Sequence, residues 1–349
     1  MPKRATSQDF ARRVIAWQKT GGRHDLPWQN TRDAYRIWLS EIMLQQTQVS
    51  TAVPYYRRFL ARFPDLASLA AAPEDEVLAL WSGLGYYARA RNLHRASRSI
   101  AVLHAGVFPG AFDDIVALPG IGRSTAGAIA VFAFGQRWPI LDGNVKRVFA
   151  RTFGMAGFPG DKKVETAMWA RAEHLLPSDH VEAYTQGLMD LGAGICTRTR
   201  PRCAACPLQD VCLARRDDRI GEFPAPRPKT PLAQKSTVML IVRHDQKVLL
   251  EKRPASGIWG GLWSFPEIPR LDQAAQTLLL RFGAQVATEG TLADVRHGFT
   301  HFALTITPAL LRVERVEPRA ASPGSIWLTP AEAIEAAVPA PVREILRRL

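Results

Sequence analysis

The sequence predicts a multidomain chain in which an all-α domain precedes a smaller α+β domain. Three observations carry this. At 349 residues the chain exceeds the roughly 250 at which single cores stop growing. Apolar residues recur at helical spacing as far as residue 220. Beyond a proline-rich stretch the pattern changes to short runs of Val, Ile, Leu and Thr bounded by turn residues. With 47% apolar and 22% charged residues both parts can bury a core, which excludes a disordered or collagen-like chain.

Taken in order, helices are expected over Asp33 to Gln48, Glu74 to Trp81, Tyr86 to His104, Ser124 to Phe134, Val145 to Phe153 and Lys162 to Leu175, with Gly or Pro at the breaks. They place the first domain at residues 1–220. Four of the eight positions from Pro224 to Pro231 are proline, so residues 221–235 read as an extended, semi-rigid linker. Strands are expected at Ser236 to Val242, Lys247 to Glu251 and Ala303 to Pro308, within a second domain over residues 236–349. The longest apolar run, around Ala126 to Phe134, falls short of the roughly 18 residues a membrane helix needs. The N-terminus runs into Arg12 and Arg13 without the apolar stretch of a secretory signal, so no membrane partner and a cytoplasmic location are expected.

Charge points to a polyanionic partner. Lys and Arg number 45 against 32 acids, a net charge of +13. Residues 1–225 hold 29 basic against 21 acidic side chains, and the remainder 16 against 11. From Val77 to Phe112 there is no acid, while Arg89, Arg91, Arg95 and Arg98 recur at spacings that put several of them on one side of a helix. The stretch reads either as a phosphate-facing stripe or as a solvated basic face.

All four cysteines fall within one short loop, as Cys196-x6-Cys203-x2-Cys206-x5-Cys212. In a cytoplasmic chain such clustering points to a metal site rather than disulfides. Zinc and an iron–sulfur cluster are both candidates; the single C-x2-C pair with wider gaps on either side favours the bulkier 4Fe-4S cluster. Arg198, Arg200, Arg202, Arg215 and Arg216 in the same loop read as phosphate contacts or as a shell offsetting cluster charge.

Leu118-Pro119-Gly120-Ile121-Gly122-Arg123-Ser124 lies between two helical stretches, giving a helix-hairpin-helix over about residues 113–134. Its glycines allow a tight turn whose backbone N–H groups, with the next helix N-terminus, can hold a phosphate without reading sequence. Two carboxylates stand out. Asp142, at the start of a helix, reads as an N-cap and as an anion kept ionised by the helix end. Glu41 lies among apolar neighbours with Trp38, Gln45 and Gln48 on its face, so burial should raise it into the range of a proton donor. A raised acid beside a lowered one is an arrangement that cleaves glycosidic bonds.

These features together resemble the endonuclease III, or helix-hairpin-helix, superfamily of base-excision DNA glycosylases. Within it, Trp38 to Val49, Gly83 to Leu93 and Leu141 to Val148 are similar to MutY-type adenine DNA glycosylases. The resemblance implies a helix-hairpin-helix glycosylase domain with an iron–sulfur loop over 196–212, and a Nudix-like lesion-recognition domain. It implies hydrolysis of the N-glycosidic bond of adenine mispaired with 8-oxoguanine or guanine in duplex DNA, by a monomer acting in base-excision repair. Bifunctional members carry Lys where this chain has Ser124, so a monofunctional enzyme using water is implied. By position, Glu41 would protonate adenine and help activate water, Asp142 would stabilise the sugar cation, and Asn144 would orient both. Gln46 and Tyr86 match positions that enter the base stack when adenine is flipped out. The hairpin residues Leu118, Gly120, Gly122 and Ser124 would contact DNA. Phe299-Thr300-His301 aligns with the family's Phe-Ser-His lesion contact, Thr adding a methyl; from the residues alone, Phe299 and His301 could equally be strand core. A Nudix hydrolase needs an R-E-x-x-E-E box, whereas Leu271 to Leu280 holds one acid, Asp272, so pyrophosphate hydrolysis is not expected. The competing functions are excision of another base, such as thymine from a G·T mismatch, and a non-catalytic DNA binder whose cluster senses redox state.

Overall fold

The computed structural model describes residues 6–228, 231–316 and 324–349. The chain divides into two compact units, Met1–Ala70 with Arg95–Lys229, and Ala71–His94 with Thr230–Leu349.

The first unit is helical. Its core gathers Phe10 and Val14 of the Ser7–Gly21 helix, Val148 and Phe149 of the Gly143–Phe153 helix, and Tyr184 and Leu188 of the Val181–Asp190 helix. The Phe10 ring packs at 5.3 Å on Phe153 and edge-on at 6.0 Å to Phe149. Two helix starts matter for the site. Asp33 caps Ala34–Leu44 by accepting from the Arg36 N–H, and Asp142 caps Gly143–Phe153 by accepting from the Val145 N–H at 2.8 Å. The first of these helices stops at Leu44 rather than reaching Gln48. Gln46 turns into the left-handed region at φ 58°, and the Gln48 carbonyl opens the next helix, Val49–Arg62, by accepting from the Ala52 N–H.

The second unit is an α+β layer on one sheet, with strands β1 (Ala233–His244), β2 (Lys247–Lys252), β3 (Trp263–Ser264), β4 (Glu267–Ile268), β5 (Ala284–Thr291), β6 (Val295–Gly298), β7 (Phe302–Val316) and β8 (Ser325–Leu328). The order is β3-β2-β1-β7-β5, with β4 on β1, β6 on β7 and β8 on β2. The β1 and β7 strands pair in parallel from Ala233↔Phe302 to Arg243↔Arg312. Leu240, Val242, Leu249 and Leu311 face a core closed by Leu278 of the Ala274–Phe282 helix. That helix carries no acid, in keeping with the missing Nudix box. The β1 strand begins at Ala233, inside the stretch expected as linker, because its first residues pair with β7.

Residues Ala71–His94, read from sequence with the first domain, group with this sheet unit. Ser82 Oγ donates to the Val338 carbonyl at 2.7 Å, Arg91 to the Gly260 carbonyl, and Lys252 pairs with Asp75. The expected arginine stripe is accordingly split. Arg89 is buried, stacked against Trp81 and donating to the Gly85 carbonyl at 3.0 Å, whereas Arg95 and Arg98 are exposed. Arg89 and Arg91 are held by backbone carbonyls of their own unit, leaving a shorter exposed basic face than the sequence implied.

Candidate active site

A cleft of about 2090 Å3 opens in the first unit, and Glu41, Gln46, Gly122, Ser124, Asp142 and Asn144 all line it. Glu41 lies on the Ala34–Leu44 helix, between the buried Ser40 and Ile42. Its carboxyl accepts no hydrogen bond among the described residues, so nothing offsets its desolvation. Burial, reinforced by the negative charge of Asp142, pushes its pKa up to about 8. Protonated, it is an acid that can donate near neutral pH.

Asp142 is built differently. It accepts from the Val145 N–H at 2.8 Å and from Asn144 Nδ2 at 3.4 Å, and Arg147 contributes positive charge. Burial outweighs these, so its pKa lies above the usual carboxylate value rather than below it as the helix end alone implied. The bonds still order the pair. Asp142 has donors and Glu41 has none, so Asp142 ionises first, and its charge adds to the burial that raises Glu41.

Arg147 secures Asn144. Its Nη2 donates to Asn144 Oδ1 at 2.8 Å and to the Gly192 carbonyl at 2.6 Å, while Nε donates to the Cys196 carbonyl at 2.6 Å. Ser124 Oγ accepts from the Leu141 N–H at 2.9 Å, fastening the hairpin helix to the segment that presents Asp142. In the hairpin, Leu118 and Ile121 are buried anchors, while Gly120, at φ 81°, and Gly122 are exposed ahead of the Arg123–Phe134 helix. Gln46 is exposed in a left-handed conformation, a strain that persists at ligand-facing sites.

Sequence reasoning missed part of the wall. Arg23, Trp28 and Gln186 also line the cleft. Asp190, buried behind it, accepts from the Arg23 N–H at 2.9 Å, from Arg23 Nε at 2.7 Å and from Gln186 Nε2 at 2.8 Å. Only the four-residue spacing of Gln186 and Asp190 on one helix face was visible in advance.

Residues 39–174 match the family model of HhH-GPD superfamily base excision DNA repair proteins, and residues 237–348 that of the NUDIX domain. Over 342 residues the chain is 38% identical to the adenine DNA glycosylase of Buchnera aphidicola subsp. Acyrthosiphon pisum (strain APS), covering 98% of this chain and 97% of that one. This chain belongs to the adenine DNA glycosylase family. The human adenine DNA glycosylase is 32% identical over 401 residues, covering 97% of this chain and 73% of its own length. Among solved structures, a thermostable thymine-DNA glycosylase matches with a TM-score of 0.54 at 28% identity, over 60% of this chain and 97% of that one. A non-covalent endonuclease III–DNA complex shares the fold, with a TM-score of 0.51 at 21% identity over 61% of this chain and 98% of that one.

The glycosylase brings all four cysteines to one small pocket, lined also by Val148, Leu191, Ile195 and Leu208. Among the described residues no three His, Cys, Asp or Glu side chains are gathered closely enough to hold a single ion. The donor set is nonetheless four thiols in an apolar pocket, with Arg151 Nη1 3.4 Å from Cys196 Sγ and its guanidinium able to offset thiolate charge. These residues fit a polynuclear iron–sulfur group.

In the sheet unit, Phe299-Thr300-His301 forms the turn between β6 and β7, closed by the Phe299 N–H donating to the Phe302 carbonyl at 2.8 Å. Thr300 and His301 are exposed, so His301 is no core histidine. The Phe299 ring stacks on Phe302 at 4.4 Å and meets His297 edge-on at 4.7 Å and Trp259 at 5.4 Å. Tyr86, also in this unit, is 55% exposed at φ 50°, on the turn before the Ala88–Leu103 helix. No helix among the described residues is long and apolar enough to cross a membrane.

Proposed function

We propose that the protein is a monofunctional glycosylase hydrolysing the N-glycosidic bond of adenine mispaired with 8-oxoguanine or guanine in duplex DNA. The observation that carries this reading is the pair of unlike carboxyls in one cleft: Glu41 without a donor and raised to about 8, Asp142 fixed by a helix N-terminus. Adenine leaves poorly as an anion. Glu41 gives its proton to a ring nitrogen, the bond to the sugar breaks, and the electron pair departs with the neutral base. Asp142 stabilises the oxocarbenium-like sugar left behind, and Asn144 keeps that carboxylate oriented. Glu41, now ionised, takes a proton from the water that adds to the sugar. Ser124 offers no amine, and its hydroxyl is occupied by the Leu141 N–H, which leaves water as the nucleophile.

Because the bond is out of reach within a duplex, adenine is flipped into the cleft, with Gln46 and Tyr86 filling the stack and the Gly120–Gly122 hairpin holding the backbone. Phe299, Thr300 and His301 read the opposing 8-oxoguanine. Cys196, Cys203, Cys206 and Cys212 hold a 4Fe-4S cluster, which supplies a structural cross-link for the loop when bound. The protein works as a monomer on chromosomal DNA in the cytoplasm. A single-turnover assay on duplexes with adenine opposite 8-oxoguanine, with and without alkali, tests this. Base release with strand scission only after alkali is expected. Scission without alkali overturns the monofunctional reading, and release of thymine from G·T but not of adenine reassigns the substrate.

A further inference from the structure

The turn leading from the Val181–Asp190 helix to the cysteine loop is wider than an α-turn. Leu191–Ile195 makes a single π-turn, closed by the Cys196 N–H donating to the Leu191 carbonyl at 2.6 Å. Single π-turns of this kind recur at functional sites. Gly192 is its second residue, and its φ lies outside the left-handed region, so backbone conformation does not call for glycine there. Proximity does. A Cβ at Gly192 would stand 2.4 Å from Asn144 Cβ, 2.9 Å from Asn144 Cα and 3.0 Å from its carbonyl carbon. These three nearest neighbours all belong to one residue, and they are backbone or first-atom positions that cannot swing away. Gly194, in the same turn and nearer to Cys196, would meet only Arg202 Nη2, at 3.8 Å.

The Gly192 carbonyl is used as well. It accepts from Arg147 Nη2 at 2.6 Å, the same nitrogen that donates to Asn144 Oδ1 at 2.8 Å. Asn144 is thus held on its Cβ side by the π-turn and on its amide oxygen by Arg147. Its Nδ2 is left directed at Asp142 Oδ2, 3.4 Å away. We propose that Gly192 is a positioning residue for base excision: its missing side chain admits Asn144 to the place from which Asn144 orients the Asp142 carboxylate. This rests on the roles given above to Asp142 and Asn144.

The test follows adenine release from the A·8-oxoguanine duplex under single-turnover conditions across pH, with duplex affinity measured in parallel, for the native protein, Gly192→Ala and Gly194→Ala. A methyl at 192 displaces Asn144, and a displacement of this kind lowers the rate by about tenfold to a hundredfold while binding stays within about threefold. Asp142 also loses a donor to its ionised form, so the acid limb of the rate profile moves to higher pH. Gly194→Ala keeps the native rate and limb. Gly192→Ala behaving like Gly194→Ala overturns the proposal, as does a fall in rate with the acid limb unmoved. If Gly192→Ala does not fold, Asn144→Ala, which leaves the π-turn as it is, is read in the same assay, with a lowered rate and the acid limb at higher pH expected. Native behaviour of Asn144→Ala overturns the proposal. Native protein that releases no adenine overturns the functional reading and this proposal with it, whereas native release unaffected by Gly192→Ala overturns this proposal only.

Discussion

The cleft around Glu41 and the turn at Phe299–His301 hold the groups proposed to act there in opposite ways. In the cleft, three groups beside Glu41 are tied in place: Asp142 by the Val145 N–H, Ser124 by the Leu141 N–H, and Asn144 by the Arg147 guanidinium and the π-turn. At the turn, two of the three residues project into solvent and the third rests on a cluster of rings. Bond breaking needs charges aimed in a desolvated place before the substrate arrives. Discriminating one base from another needs only a difference in contact energy, which exposed side chains can supply.

The largest effect that would break this contrast is at Glu41. Glu41→Gln is expected to lower single-turnover adenine release by about 10²- to 10⁴-fold, the range a positioned general acid contributes, with duplex affinity within about threefold. The native rate should fall as pH rises through about 8, where Glu41 loses its proton, and fall again in acid, at a pH above the ordinary Asp value of 3.8, where Asp142 gains one. The stability sign is opposite to that of a salt-bridged acid. A carboxyl raised from 4.5 to about 8 favours the folded state when protonated, so its cost grows as pH climbs from 4.5 and is complete above 8. Glu41→Gln should therefore melt above the native protein at pH 9, read by calorimetry. A melting temperature that falls instead would show that the carboxylate is bonded in the free protein.

The same contrast decides what the sequence discloses. Asp142 announces itself as an N-cap, Gly120 and Gly122 as a turn, and the cysteines by spacing, because each signal is local to a few residues. Its raised pKa is not local, since it follows from how much protein surrounds the carboxyl. Arg23 and Gln186 meet over Asp190 from segments far apart in the chain, which no periodicity reports. The π-turn at Leu191–Ile195 lies under an ordinary helical pattern, and only the Gly192-Ala193-Gly194 run hints at it. In the second unit the strand runs at Ser236, Lys247 and Ala303 were legible, but the parallel pairing of β1 with β7 was not. Nor was the grouping of Ala71–His94 with that sheet, which depends on single contacts such as Ser82 with Val338.

A smaller effect belongs to the turn. Phe299→Ala removes a ring stacked on Phe302 and touching His297 and Trp259, while leaving the cleft intact. Base–aromatic contacts are worth about 1–3 kcal/mol, so preference for adenine opposite 8-oxoguanine over adenine opposite guanine should fall by about tenfold. The rate-limiting chemistry on an A·G duplex should stay within about threefold of native. Paired single-turnover rates on the two duplexes measure this. Equal losses on both would place Phe299 in general DNA binding and remove the distinction between the two regions.

The smallest effect sharpens what fixed means in the cleft. Ser124→Ala leaves the Leu141 N–H, in a nearly buried residue, without its acceptor at 2.9 Å. Losing a partner for a buried donor costs about 1–3 kcal/mol, which lowers the melting temperature by several degrees, roughly 2–4 °C per kcal/mol for a domain of this size. If Ser124 only fastens the hairpin helix to the Asp142 segment, adenine release falls by no more than about threefold and strand scission still requires alkali. The neighbouring Thr125 Oγ1, 3.4 Å from Gln45 Nε2, lies one position further along the same helix, so the helix keeps a second polar tie to the Glu41 helix when Ser124 is gone. A loss of activity approaching that of Glu41→Gln with an unchanged melting temperature would mean that the Ser124 hydroxyl acts on the substrate, and that the cleft holds a third chemical group beside its two carboxyls.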